Sequence, residues 1–279
     1  MDVIDEIWSR AIGAQPPPTQ GMVLLTAAVA ACLVGYRPAW SRTRHAVTIA
    51  HEGAHGFVAL LSGRRLSGIR LHSDTSGLTL SRGRPSGAGM VATAFAGYVG
   101  PALIGLAAAW VLATGHAVGL LWATLVLLAL LLVQIRNWFG LWSVLATATL
   151  VFAVSWWVPS DGQSAFAYLL AWFLLIAAPR PVLELQAQRR RRRAATSDAD
   201  QLARLTGVPG TVWVVVFGLV NVAALALGAT LLLSPDPPSA GSGPSIRRFW
   251  PLHPQVLEVV GWPTCPDPPQ RPSSRSATA

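Results

Sequence analysis

The stretch His51-Glu52-Gly53-Ala54-His55 lies inside an apolar segment, Ala46 to Leu61, whose composition predicts a helix within a membrane. Two histidines four residues apart lie on the same face of a helix, so both imidazoles can reach one zinc ion. Glu52 is then placed to act on a water molecule at that zinc. The alternative is that both histidines are hydrogen-bonded structural residues. Because ionisable side chains are costly in a bilayer, three of them in this order favour a metal site.

The composition indicates a membrane protein. Of 279 residues, 52% are hydrophobic and 12% are charged, which is about half the charged share of a soluble domain. Several apolar runs approach or exceed the roughly 20 residues that cross a bilayer. We therefore expect an all-α polytopic membrane protein with about seven transmembrane helices and a short β-hairpin after the zinc-motif helix. The predicted spans are Met22 to Tyr36, His45 to Ser62, Gly87 to Ala113, His116 to Ile135, Trp138 to Val158, Ala165 to Ala178 and Thr211 to Leu233.

The charge and the cysteine content narrow the class of protein further. The formal net charge is +9, and all 21 basic residues are arginine, a bias that fits a GC-rich bacterial genome. The arginines lie mainly in loops between apolar segments, where cytoplasmic anchoring explains them better than a nucleic-acid partner does. Cys32 and Cys265 have no nearby partner in the sequence, which disfavours a disulfide framework or a thiolate metal site. We expect a multi-pass protein of the bacterial inner (plasma) membrane.

The chain divides into three predicted parts. Residues 1–20 form an N-terminal leader, residues 21–233 form the transmembrane domain that carries the zinc motif, and residues 234–279 form a disordered tail rich in proline and serine. Within the domain, residues 64–84 alternate between apolar and polar side chains around a turn, which predicts the β-hairpin. Residues 180–205 read as a cytoplasmic arginine-rich loop that contacts anionic lipid headgroups.

The arginines also predict the orientation. With seven spans, the hairpin, the Arg136 loop and the run from Arg189 to Arg193 fall on one side, which should be the cytoplasm. Arg37, Arg42 and Arg44 fall on the opposite side and contradict this scheme. Six spans, with the first segment not crossing fully, is the alternative.

The third zinc ligand is the open question, because a zinc hydrolase site normally takes three protein ligands. Ser197-Asp198-Ala199-Asp200 stands just before the last span, on the same predicted side as the hairpin. If a helix begins there, Ser197 would be its N-cap and Asp200 its N3 acid. Asp198 would then be free to bind zinc, although a capping role for both aspartates is the competing interpretation. Asp161 lies on the wrong predicted side.

The motif helix, followed by Leu-Ser-Gly-Arg-Arg and a hairpin, resembles the site-2-protease-like family of intramembrane zinc metallopeptidases, most closely its compact bacterial branch. The resemblance covers roughly His45 to Ala113 well and the other spans loosely. It implies that His51 and His55 bind zinc, with Glu52 as catalytic acid and base. It also implies that an edge strand near Ile69–Leu80 presents the substrate as an added strand.

The chain departs from the family pattern at the third ligand. The resemblance implies an aspartate within Asn-Pro-Asp-Gly or Leu-Asp-Gly in a later span. This chain has only Asn137-Trp138-Phe139-Gly140 there, without an aspartate. Asp198 is the replacement that we expect.

Two functions remain open at this point. The first is an intramembrane zinc endopeptidase that cleaves a membrane protein or peptide substrate. The second is a catalytically inactive membrane scaffold or regulator with the same fold. A transporter with an intramembrane metal or proton site ranks last, because the sequence has no internal repeat.

Overall fold

The computed structural model describes residues 9, 12–191 and 197–234. Nearly all of the predicted tail and half of the leader lie outside the described residues. Over the described residues the chain forms helices joined by short connections, with one antiparallel hairpin. The elements are α1 (Gln20–Gly35), α2 (Arg37–Leu61), β1 (Arg65–Leu71), β2 (Gly77–Arg82), α3 (Ala88–Ala113), α4 (Ala117–Gln134), α5 (Trp138–Trp157), α6 (Ser160–Ala177), α7 (Pro179–Arg190), α8 (Asp198–Thr206) and α9 (Gly210–Leu233).

The all-α membrane fold with a hairpin is confirmed, and the described residues contain five or six candidate spans where about seven, or alternatively six, were predicted. Five helical units among the described residues are long and apolar enough to cross a bilayer, with α6 and α7 counted as one unit. A sixth span exists if α1 and α2 are taken together, although they are bent by 101° at their junction. The 16 residues of α1 extend only about 24 Å at 1.5 Å per residue, and a bilayer core is about 30 Å thick.

The start of α2, just after the bend, contacts a later helix of the chain. Trp40 Nε1 and Arg44 Nη2, near the start of α2, donate to the carboxylate of Glu184 on α7, at 3.1 and 2.9 Å. Arg44 therefore lies beside α7, the helix that leads into the arginine-rich run.

The hairpin is held between α2 and the α4–α5 connection. The side chains of Leu66 and Ile69, on the inner face of the hairpin, pack against α2 at Gly56. A Cβ added to Gly56 would lie 3.3 Å from both side chains. On the other side, Arg136 N donates to Ile69 O at 2.9 Å. Asn137 then binds the backbone of Leu71 twice, donating to its oxygen at 2.6 Å and accepting from its nitrogen at 3.1 Å. The outer edge of β1 is therefore covered.

Small residues allow α3 to pack closely against its neighbours. A Cβ added to Gly100 would overlap the Cβ of Ala54 on α2, and one added to Gly105 would lie 3.0 Å from Leu175 Cγ on α6. The backbone of α3 therefore approaches α2 and α6 closely at these two glycines. It brings α3 directly against the helix that carries the His-Glu-x-x-His motif.

The two bonds of Asn137 predict the effect of removing its amide. Replacing Asn137 with alanine leaves both backbone groups of Leu71 without these partners, at a cost of about 1–3 kcal/mol to the local structure. Hydrogen exchange measured by mass spectrometry should therefore speed up over the hairpin by about tenfold or more.

Thr147→Ala is the matched control, because its hydroxyl bonds only to Ser143 O within its own helix. Unchanged exchange over the hairpin in Asn137→Ala would contradict this account of how the hairpin is held.

Candidate metal centre

Three potential ligand atoms converge where α2 meets the start of α8. His55 Nε2 lies 3.2 Å from His51 Nε2 and 3.2 Å from Asp198 Oδ2. His51 Nε2 and Asp198 Oδ2 are 3.4 Å apart. His51, His55 and Asp198 are thus a group that could hold a metal ion. Bonds of about 2.0–2.1 Å in a tetrahedral site place ligand atoms about 3.3 Å apart, which matches this spacing.

The backbone of α3 orients the ring of His55. Its Nδ1 lies 2.6 Å from the carbonyl oxygen of Thr93, which can only accept, so Nδ1 carries a proton. A neutral His55 therefore presents the lone pair of Nε2 toward His51 and Asp198. Carboxylate and imidazole lone pairs at this spacing repel one another unless a cation, either a proton or a metal ion, lies between them. A carbonyl partner of this kind is typical of metal-binding histidines.

A glycine on α3 makes room for both rings. A Cβ added to Gly97 would overlap the ring of His55 and lie 2.7 Å from His51 Cε1. The ring of His51 in turn meets Tyr98 edge-on, with centroids 4.9 Å apart. The imidazoles are thus confined between their own helix and α3.

The start of α8 holds Asp198 in position. Ser197 is the N-cap, and its hydroxyl accepts from Asp200 N at 3.4 Å and donates to Asp200 Oδ2 at 2.6 Å. Arg189, at the end of α7, forms an ion pair with Asp200 Oδ1. Burial raises the pKa of the Asp200 carboxyl, but the bonds from Ser197 and Arg189 outweigh burial and hold that pKa below its usual value. Asp200 therefore anchors the helix start while Asp198 reaches the histidines.

The carboxyl of Asp198 is kept ionised by its neighbours. Burial raises its pKa, but hydrogen bonding with His51 and His55 outweighs burial and holds the pKa well below its usual range. An ionised carboxylate is the form that binds a metal ion.

Glu52 lies under the hairpin and is 5% exposed. Thr79 on β2 donates its hydroxyl to Glu52 Oε2 at 2.7 Å. A Cβ added to Gly77 would overlap the Glu52 side chain, so the close approach of β2 depends on this glycine. The hairpin therefore fixes the orientation of the carboxylate.

A cavity of about 550 Å³ connects these groups, and the metal-ligand candidates, Glu52, Tyr98 and β2 all line it. In an antiparallel pair, two residues that face each other both direct their backbone N–H and C=O groups toward the partner strand, or both direct them away from it. Ile69 and Leu71 bond away from β2, and they face Thr79 and Gly77. The backbone N–H and C=O groups of Gly77 and Thr79 therefore point away from β1. β2 is thus an edge strand along the cavity.

Several other polar residues lie apart from this cluster. His72 is exposed in the hairpin turn beside Ser76, at 3.3 Å, and Asp161 is exposed in the first turn of α6. Asn137 bonds to β1 and Asn221 bridges helices. Thr79, Thr93 and Tyr98 were missed, because no motif marks a residue that joins a site from another helix or strand.

The model of the family described as Peptidase M50B-like matches residues 22–228. The chain belongs to this family. The match covers α1 to α9 almost entirely and supports the site-2-protease-like resemblance. No curated protein and no solved structure gives a significant match. This member of the Peptidase M50B-like family is a multi-pass membrane protein in which His51, His55 and Asp198 could hold a metal ion.

Gly97→Ala should weaken metal binding, because the added methyl displaces both histidine rings. With Zn²⁺ added as the probe ion, we expect the affinity of the purified protein to fall by about 10–100-fold, the range typical when groups supporting the ligands are disturbed. Gly218→Ala on α9 is the control, since nothing lies within 4 Å of its added Cβ. Equal zinc affinities in the two variants would contradict the placement of α3.

Arg189→Gln should also weaken metal binding, because it removes the ion pair that anchors the start of α8. With Zn²⁺ added as the probe ion, the affinity is expected to fall by about tenfold, measured by competition with a chelator. Arg190→Gln serves as the control because Arg190 is exposed. A larger loss in Arg190→Gln than in Arg189→Gln would overturn this role for Arg189.

Proposed function

We propose that this protein is an intramembrane zinc metalloprotease that hydrolyses peptide bonds of membrane-embedded or membrane-proximal substrates. The observation that carries the proposal is the convergence of His51, His55 and Asp198 at tetrahedral spacing, beside Glu52 in one cavity. Membership of a peptidase family supports the class of reaction.

Zinc is the metal that these donors fit best. Two imidazole nitrogens and one carboxylate oxygen form a typical catalytic zinc set that leaves a position open. When bound, zinc lowers the pKa of water and polarises a carbonyl group. Asp198 would complete the set, so the missing aspartate of the family pattern no longer favours an inactive scaffold.

Glu52 is the group that moves protons in this proposal. It accepts a proton from the attacking water as the oxygen bonds to the scissile carbonyl carbon, and it then gives that proton to the leaving amine as the C–N bond breaks. The bond from Thr79 Oγ1 to Oε2 holds the carboxylate in one orientation.

The edge of β2 is the proposed substrate contact. An extended peptide that pairs with the free backbone groups of Gly77 and Thr79 would run along the cavity past Glu52. A helical transmembrane segment would have to unwind to pair in this way, which favours substrates that are locally extended.

The proposed location is the bacterial inner membrane, with the site facing the cytoplasm. The exposed Arg190 and Arg191 at the end of α7 suit contact with anionic lipid headgroups. Arg189 is paired with Asp200 and is committed to the protein instead.

Glu52→Gln tests the function directly. The amide cannot accept the proton, so cleavage of fluorescein-labelled casein in detergent micelles should fall by about 10²–10⁴-fold. Bound zinc should stay at one ion per chain, because Glu52 is not a ligand in this proposal.

Asp161→Asn is the control for loss of a carboxylate, since Asp161 lies outside the cavity. Unchanged cleavage by Glu52→Gln, or wild-type protein without stoichiometric zinc, would sink the protease proposal.

A further inference from the structure

Tyr98 sits on α3 between the metal-ligand candidates and α9, and its ring is fixed from both sides. His51 meets the ring edge-on, with centroids 4.9 Å apart and an interplanar angle of 88°. Phe217 of α9 stacks on it at 5.1 Å with an angle of 17°. The two contacts leave the phenol little freedom to swing out of the cavity.

The backbone of Tyr98 is also held. Asn221 on α9 is 0% exposed and donates its amide to Tyr98 O at 3.1 Å and to Ala178 O at 3.0 Å. A fully buried amide is costly unless it is bonded. Asn221 therefore fixes this turn of α3 against α9 and the end of α6. It thereby also fixes the position of the Tyr98 backbone from which the phenol extends.

The hydroxyl of Tyr98 has no hydrogen-bond partner among the residues that the structure describes. The neighbouring hydroxyls are committed, because Thr79 donates to Glu52 and Thr93 to Gly89 O at 2.7 Å. The carboxylates of Glu52, Glu184 and Asp198 line the same cavity as Tyr98. A tyrosine hydroxyl ordinarily keeps its proton at neutral pH, so the Tyr98 O–H is able to donate a hydrogen bond.

We propose that Tyr98 is a catalytic residue whose hydroxyl donates a hydrogen bond to the oxygen of the scissile carbonyl. This inference rests on the proposed peptidase function. As the water oxygen bonds to the carbonyl carbon, the electron pair of the C=O bond moves onto that oxygen and the Tyr98 hydrogen bond strengthens. The pair returns when the C–N bond breaks, and Glu52 supplies the amine proton. Tyr98 gains and loses no proton.

A preorganised donor of this kind contributes mainly to the transition state. Removing one such donor commonly lowers kcat by about 10²–10³-fold. Substrate binding should change little, because the carbonyl oxygen carries less charge in the ground state.

Tyr98→Phe is the test, since it keeps both ring contacts and removes only the hydroxyl. With labelled casein and the full-length, zinc-loaded protein in micelles, we expect kcat to fall by about 10²-fold or more while KM changes less than about threefold. Zinc stoichiometry should be unchanged. Phosphoramidon, whose tetrahedral phosphoryl group mimics the charged intermediate, should bind about tenfold more weakly, whereas acetohydroxamate, a planar zinc chelator, should bind as before.

Tyr168→Phe is the matched control, because Tyr168 is a buried tyrosine of α6 that does not line the cavity. If Tyr98→Phe retains wild-type kcat while Glu52→Gln is inactive, the role of Tyr98 fails and the protease function stands. If Tyr98→Phe loses zinc or weakens both inhibitors equally, Tyr98 supports the metal site and does not act in catalysis. A zinc-loaded wild-type protein that cleaves nothing would overturn both proposals.

Discussion

The contact between Asp198 and the two motif histidines is the constraint on which the rest of the structure depends. Three groups with lone pairs face one another at 3.2–3.4 Å, and such an arrangement is stable only with a cation among them. To create it, the chain must bring the start of α8 against α2, although the two lie about half the chain apart. The glycines of α3, the N-cap of α8 and the ion pair from α7 all serve this approach.

Several members of the polar cluster have hydrogen-bond partners that hold them in the apolar bundle. Thr93 bonds to His55, Thr79 bonds to Glu52, and Ser197 and Arg189 hold Asp200. At the mouth of the cavity, Glu184 links α7 to the start of α2. Since an unpaired polar group in a low-dielectric interior costs several kcal/mol, these bonds also restrict how the site can rearrange. The hydroxyl of Tyr98 stands out against this background, and a substrate carbonyl is the partner that suits it.

Much of this arrangement could be predicted from residue patterns. Long apolar runs located α3, α4, α5 and α9 within a few residues, and alternation with a turn located the hairpin. The capping pattern at Ser197 and Asp200 pointed to Asp198 by elimination. Hydropathy does not indicate the direction of a helix axis. The helices α1 and α2, which meet at a bend of 101°, were therefore predicted as two separate spans. Residues 180–205 were predicted as a loop because they are rich in arginine, although the capping pattern indicated that a helix, now seen as α8, could begin at Asp198. Thr79, Thr93 and Tyr98 depend on packing between distant elements, which no local pattern encodes.

The most direct measurement of the central claim is X-ray absorption at the zinc edge of the purified wild-type protein and of Asp198→Ala. The account predicts one zinc per chain in the wild type, with two imidazoles and carboxylate or water oxygen at about 2.0–2.2 Å. The variant should lose zinc or lose one protein oxygen ligand. A protein without stoichiometric zinc, a shell containing sulfur, or an identical spectrum for Asp198→Ala would contradict it.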